Sequence, residues 1–294
     1  MSDYIIATSS TSDLPRSWLD EHHVPFIAYS FVRGTEIRED DCREESRQAM
    51  YEEMRRGARF KTSMISEEQY YTFFSNLLDT GKDLVFLDMS QKMSVSFANS
   101  VKAADRLKTE YPDKKVYVMD TRCISGGLGL LVEEMVKRKD QGFSLDEVIA
   151  WGEENKLKIA HRFTVDDLNY LKDGGRVSNT AALVGSLIGI KPVLYVPDAG
   201  TLEVVKKARG RKAALRSIIN SILEDLEGFS LSNAGIRILQ ADCRDDAETV
   251  RAAILQAHPE ADDIRISNLG VVIGAHCGPG LLTVFYLCNG RKQA

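Results

Sequence analysis

The chain is poor in the features that would place it outside the reduced, aqueous interior of a cell. Its 294 residues hold five cysteines, Cys42, Cys123, Cys243, Cys277 and Cys288, an odd and scattered set never spaced as C-x-x-C. That excludes a disulfide framework and a cysteine-based zinc site, and it points to a reduced, cytoplasmic protein. Positive charge is not in excess: 38 Lys and Arg against 43 Asp and Glu leave a net charge of −5. With a pI near 5.7 the chain lacks the basic face that a general nucleic-acid binder needs to neutralise phosphates. No apolar run approaches the roughly 20 residues that cross a bilayer. The opening MSDYIIATSSTSDLP has no charged-then-apolar layout of a secretory signal, which supports the same cytoplasmic expectation. There is no internal repeat, low-complexity tract or Pro/Gly/Ser linker, no helix-turn-helix signature, no G-x-x-x-x-G-K-[ST] loop and no G-x-S-x-G elbow.

What remains is an ordinary globular composition, 44% apolar and 28% charged, in a chain past the length at which a single core stops growing. Two domains are therefore expected. Strand-like runs at 4–8 (YIIAT), 24–32, 84–87 and 116–119 alternate with helical stretches. Pro15 fits a helix start, Ser66 with Gln69 forms a capping box ahead of YYTFFSNLL, and 127–137 and 144–156 look helical. This βαβα rhythm predicts a mostly parallel sheet flanked by helices over residues 1–156.

From residue 157 the pattern shifts. Strands at 158–164, 236–239, 264–266 and 283–287, a hairpin of 193–196 and 202–205 around Asp198-Ala199-Gly200, and helices at 165–171, 212–226 and 247–257 predict a second α/β domain over 157–294, with a mixed sheet. The cleft between the two is the expected binding site.

Four short segments carry the candidate chemistry, each beside a plainer structural use. Thr62 and Ser63 precede a helix that Ser66 caps, which leaves those two hydroxyls without an obvious structural role. Met93-Ser94-Val95-Ser96 follows a strand and opens a helix. Its hydroxyls either cap that helix or serve an anion at the edge of a parallel sheet. Asp173-Gly174-Gly175-Arg176 is either a simple turn or a device that thrusts an arginine outward. Last, GVVIGAHCGPGLLTVFYLC (270–288) sets His276 at what reads as a bend between two apolar runs. An ionisable group placed there calls for a partner from elsewhere in the chain.

Taken together, FTVDDLNYLKDGGRVSN (163–179), GIKPVL (189–194) and IGAHCGPG (273–280) resemble the DegV family, fatty-acid-binding proteins that act as the FakB subunit of bacterial fatty acid kinase. The resemblance spans the chain: TSSTSDLP (8–15) is similar to the family's TDSTxDLP, Lys61-Thr62-Ser63 to KTSQPS, and VMDT (118–121) with Gly127 and Gly129 to VIDS…GxG. It implies a long-chain fatty acid buried in a tunnel between two α/β domains, with no other cofactor and no metal. The carboxylate ligands it implies are Thr62, Ser94 and His276, with Ser63, Ser96 and Cys277 in the headgroup vicinity. Arg176 is implied as an exposed contact for a separate ATP-binding kinase subunit, which phosphorylates the carboxylate for phospholipid synthesis. The chain departs from the family pattern at Ser9, where an aspartate is usual, at Met93-Ser94-Val95-Ser96 in place of LSGT, and at Cys277 beside the histidine.

The energetics suit that implication. A sixteen-carbon tail has about fourteen methylenes, which at ~0.8 kcal/mol each give an upper limit of ~11 kcal/mol. The headgroup site then only has to avoid an unpaired buried carboxylate. Residues 178–190, rich in small side chains, are a candidate lid for the tunnel. The basic cluster Lys206, Lys207, Arg209, Arg211, Lys212 and Arg216 reads as a solvated helix start, or as a docking face for an acidic partner or for transient contact with a membrane surface. The chief rival is a hydrolase with Ser94 as nucleophile and His276 as base, acting on an acyl ester in the same cleft; GLG at 127–129 alone is a weak nucleotide signal.

Overall fold

The computed structural model describes residues 4–176, 189–230 and 234–292. In the first half the chain runs through β1 (Tyr4–Ser9), α1 (Arg16–Glu21), β2 (Phe26–Ile27), β3 (Ser30–Arg33), β4 (Glu36–Glu39), α2 (Glu44–Arg55), β5 (Lys61–Thr62) and α3 (Glu67–Leu78). It continues through β6 (Asp83–Asp88), α4 (Ser96–Glu110), β7 (Val116–Asp120), α5 (Gly126–Asp140) and α6 (Leu145–Asn155). The second half holds β8 (Ile159–Thr164), α7 (Leu168–Asp173), β9 (Ile190–Tyr195), β10 (Glu203–Arg209), α8 (Arg211–Leu226), β11 (Ile236–Gln240), α9 (Arg244–Ala257), β12 (Ile264–Asn268), α10 (Val271–Cys277) and β13 (Leu282–Leu287).

Three sheets result among the described residues. The first, β2-β1-β6-β7, is parallel throughout, as the alternating pattern predicts. The second, β10-β9-β8-β13-β11-β12, is mixed: only β11 and β12 run parallel. A small antiparallel sheet, β4-β3-β5, has no counterpart in the sequence reading. The run 24–32, read as one strand, divides at Ala28 and Tyr29: β2 joins the parallel sheet and β3 turns away to pair with β5. Helix α2 was also not foreseen; its polar composition hides a buried face of Met50, Tyr51 and Met54 together with Arg47.

Period-two alternation in β13 explains how the second half packs on both sides. Phe285 and Leu287 enter a core shared with the first half, whereas Leu282, Val284 and Tyr286 enter a second core beneath α8 and α9. The shared core runs without interruption through Leu84, Leu131, Phe163, Leu239 and Val271. Helix α5 lies at its centre, packed on β1 and β6 of one half and on β8, β11 and β13 of the other. Its glycines permit this. A Cβ at Gly126 would fall 2.8 Å from Phe285, one at Gly127 2.3 Å from His161 Nε2, and one at Gly129 2.5 Å from the Ser12 carbonyl. The GLG stretch is thus a close-packing device.

The expected capping box of Ser66 with Gln69 forms ahead of α3, and a second, Ser144 with Glu147, forms ahead of α6. The turn after β9 brings β10 back antiparallel, as the hairpin signal predicts. The candidate lid at 178–190 lies outside the described residues up to 188; Gly189 is a turn residue and Ile190 opens β9.

Candidate functional site

Loops at the C-terminal edge of the parallel sheet meet α7 and α10 of the second half around a cavity of about 260 Å³. That is slightly below the ~300–1,000 Å³ usual for small-molecule sites. Its walls are mostly apolar: Met89, Met93, Ile124, Leu171, Leu202 and Val272 all face it.

The polar groups gather in one place. Thr62, in β5, is held by pairing with Phe31 of β3. Its Oγ1 lies 2.8 Å from His276 Nε2, across 214 positions of sequence. This is the partner that the histidine required. His276 does not sit at a bend; it occupies the last turn of α10, which Gly278 ends with φ +75°. The apolar run ahead of the histidine is a helix, with Val271, Val272 and Ala275 buried on several sides of it. Two glycines bring α10 this close to its neighbours. A Cβ at Gly274 would meet the Tyr51 hydroxyl at 2.3 Å, and a Cβ at Gly174 would meet His276 Nδ1 at 2.4 Å.

Burial, then the neighbouring Arg176 cation, push the His276 imidazole down to about 4, so it is neutral at physiological pH. Ser94 lines the same cavity and accepts a hydrogen bond from the Ser96 N–H at 3.1 Å, at the opening of α4. Val95, not Ser94, is the N-cap of α4, and no side chain caps it; the bond that Ser94 accepts steadies the turn before the helix and leaves the Ser94 proton to be donated.

The other expected residues divide. Ser63 and Cys277 line the cavity. The Cys277 thiol is pushed up to about 12 by burial and by Asp13, so it contributes as a small apolar group. Ser96 does not line it. Its side chain is fully buried and accepts from the Ile65 N–H at 3.0 Å, fastening α4 to the segment before α3.

Arg176 also departs from expectation. It is half-buried rather than thrust outward, lines the cavity, and donates from Nε to the Met93 carbonyl at 3.4 Å and from Nη1 to the Gly174 carbonyl. The Gly174-Gly175 turn folds the guanidinium inward because carbonyls at both sides offer acceptors.

Tyr29 is the main polar residue that sequence reasoning passed over. It is 2% exposed, lines the cavity, and its hydroxyl lies among those of Ser94, Ser96 and Tyr70, though none of these closes a well-aligned bond to it. Burial and Asp88 hold its phenol well above the ordinary range. A tyrosine within the apolar run FIAYSFV was the available signal.

Behind the wall, His161 fixes the loop that carries Ile124. Its Nε2 accepts the Ile124 N–H at 3.2 Å while Nδ1 donates to the Ile159 carbonyl at 3.0 Å.

The chain matches the profile of the DegV family, described as uncharacterised proteins, over residues 4–289. It belongs to the DegV family. It is 36% identical over 293 residues to a DegV domain-containing protein of Clostridium perfringens, covering 99% of this chain and 100% of that one. Among solved structures it resembles a DegV family protein from Thermus thermophilus described by its fatty acid binding, with TM-score 0.83 and 26% identity over 97% of this chain and 99% of the other. It likewise resembles a DegV lipid-binding protein from Thermotoga maritima, with TM-score 0.81 and 26% identity over 99% and 100% of the two chains.

This membership agrees with the mixed α/β architecture and with the two sheet types described above. The GGR turn and the IGAHCGPG segment of this DegV chain meet beside the cavity, where Gly174 packs against His276. Among the described residues no cluster of side chains suited to a metal occurs, and no helix is long and apolar enough to cross a membrane.

Proposed function

We propose that this DegV protein binds a long-chain fatty acid with its carboxylate at Thr62, Ser94 and His276, and presents that carboxylate to a separate ATP-dependent kinase subunit for acyl-phosphate formation. The observation that carries the reading is the convergence of Thr62, His276, Ser94 and Arg176 on one mostly apolar cavity. A neutral imidazole has a single N–H; donated from Nε2 to Thr62 Oγ1, it leaves the Thr62 proton for a carboxylate oxygen, so that His276 acts on the carboxylate through Thr62. Ser94 supplies a second proton, and Arg176 a nearby positive charge, without any group that must be deprotonated. The DegV relatives described as binding lipid or fatty acid support the same ligand class.

The presentation step rests on the family resemblance and on the mouth of the cavity. Met64 and Val95, 61% and 67% exposed, stand there beside the headgroup residues as apolar surface open to a partner protein. The hydrolase alternative has less support: His276 faces Thr62 rather than Ser94, and the charge that weighs on it is a cation, not the carboxylate that orients a catalytic base.

Native mass spectrometry of the protein purified from bacteria, followed by lipid extraction, tests the ligand. A copurified fatty acid is expected; a protein without lipid after gentle purification would sink the reading. Acyl-phosphate formation from ATP and the loaded protein, seen only when an ATP-binding kinase subunit is added, tests the second part.

A further inference from the structure

Each residue from 89 to 95 lines the cavity except one, Ser90. Its side chain is fully buried and points instead across to the second half, where Oγ donates to the Gly200 carbonyl at 2.8 Å. The same oxygen accepts the Lys92 N–H at 3.3 Å, and the Ser90 carbonyl accepts the Met93 N–H at 2.9 Å, closing a tight turn just before Ser94. The Ser90 N–H donates to the Cys123 carbonyl at 2.8 Å, next to cavity-lining Ile124.

Ser90 thus joins three pieces of wall: the turn that carries Ser94, the loop that carries Ile124, and the β9–β10 turn that leads to Leu202. The β9–β10 turn is shaped for this contact. Gly200 sits at φ +75°, and a Cβ there would fall 2.2 Å from Ser90 Oγ. No side chain fits at that position while Ser90 keeps its place.

We propose that Ser90 and Gly200 form a latch that positions Ser94 for the ligand carboxylate. The inference rests on the fatty-acid reading above. Ser90 itself touches no ligand; it acts by holding the 90–94 turn in register with the second half. A turn released from Gly200 keeps its apolar walls but lets the Ser94 hydroxyl drift, so the headgroup loses more than the tail does.

The experiment compares palmitate with 1-hexadecanol, which shares the tail and lacks the carboxylate, in displacement of a fluorescent acyl probe. Ser90→Ala is expected to weaken palmitate about fivefold, with hexadecanol changing less than twofold. Gly200→Ala is expected to weaken palmitate further, and the double variant Ser90→Ala/Gly200→Ala to weaken it by less than the product of the two single effects, because removing Ser90 Oγ relieves the collision. If Ser90→Ala weakened both ligands equally, or neither, while wild type bound palmitate, the latch would be refuted and the fatty-acid site would stand. Failure of wild type to bind palmitate would overturn both.

Discussion

Thr62 and Ser94 are neutral hydroxyls, so in the proposed site each would contribute to a carboxylate the worth of an ordinary hydrogen bond and no more. Thr62→Val and Ser94→Ala should each weaken fatty-acid binding by about 0.5–1.5 kcal/mol, read by displacement of a fluorescent acyl probe. They should slow acyl-phosphate formation more than they weaken binding, because the headgroup loses its orientation. Variants that bind and are phosphorylated like wild type would place the carboxylate elsewhere. Arg176 lies beside His276 and not out in solvent, which changes what its removal should do. Burial is the larger cause of the low His276 value and the Arg176 cation the smaller. Removing the cation makes protonation easier, so Arg176→Ala should raise the imidazole from about 4 part of the way toward 6.5, as followed by NMR titration of the His276 ring. The same variant should lose carboxylate affinity several-fold. An unchanged titration would mean that Arg176 does not sense the site in solution.

At the level of elements, α5 matters most. Alanine is the better helix former by ~1 kcal/mol, yet Gly127→Ala would drive a methyl group to 2.3 Å from the His161 ring. The ring cannot retreat, since both of its nitrogens are bonded to backbone. Overpacking of this kind costs about 1–3 kcal/mol or more, so urea denaturation of Gly127→Ala should show a lower midpoint than wild type. A stabilised variant would show that α5 does not fill the space between the sheets so tightly. The basic cluster belongs to two elements rather than one helix start. Lys206, Lys207 and Arg209 lie on the edge strand β10, Lys212 and Arg216 on α8, and Arg211 is paired with Asp246 and Asp166.

Over the whole molecule, two features should be visible in stability. Because the shared core passes through both halves and α5 touches both sheets, heating should give a single endotherm with equal calorimetric and van't Hoff enthalpies. Two resolved transitions would show that residues 1–156 and 157–294 fold as separate units. The second feature is a pH profile set by buried carboxyls. Burial raises Asp13 and Asp88 to about 7 and Asp40 to about 6. Between 3.8 and those values the folded state holds protons that the unfolded chain has released, so their contribution to stability falls as pH rises. The lowered His276 acts in the opposite sense over about pH 4 to 6.5, because there it is the unfolded chain that binds the proton, and the lowered His161 acts in the same sense as His276 below its ordinary value of 6.5. Asp88→Asn removes one acidic term: relative to wild type it should gain about 2 kcal/mol of stability between pH 5 and 7, measured by urea denaturation. A parallel pair of profiles would mean that Asp88 is ionised throughout.

Local pattern determined much of this protein. Alternation of strand and helix, the capping box of Ser66 with Gln69 and the hairpin around Gly200 are set by side chains within a few positions of one another, and they are legible for that reason. So were the hydroxyls, the glycine turn and the histidine of the site, through their resemblance to a family. What the chain alone left open is everything settled by partners distant in sequence. The stretch around His276 reads as a bend between two apolar runs and forms a helix buried on several sides. Arg176 follows a turn that would aim it outward, but carbonyls of Met93 and Gly174 bring it inward. Ser96 looks identical in kind to Ser94, and only the position of the Ile65 N–H decides that one hydroxyl fastens a helix while the other lines the cavity. A hydrogen bond is selected by which donor or acceptor lies within 3 Å in space, and tertiary packing alone brings such groups together.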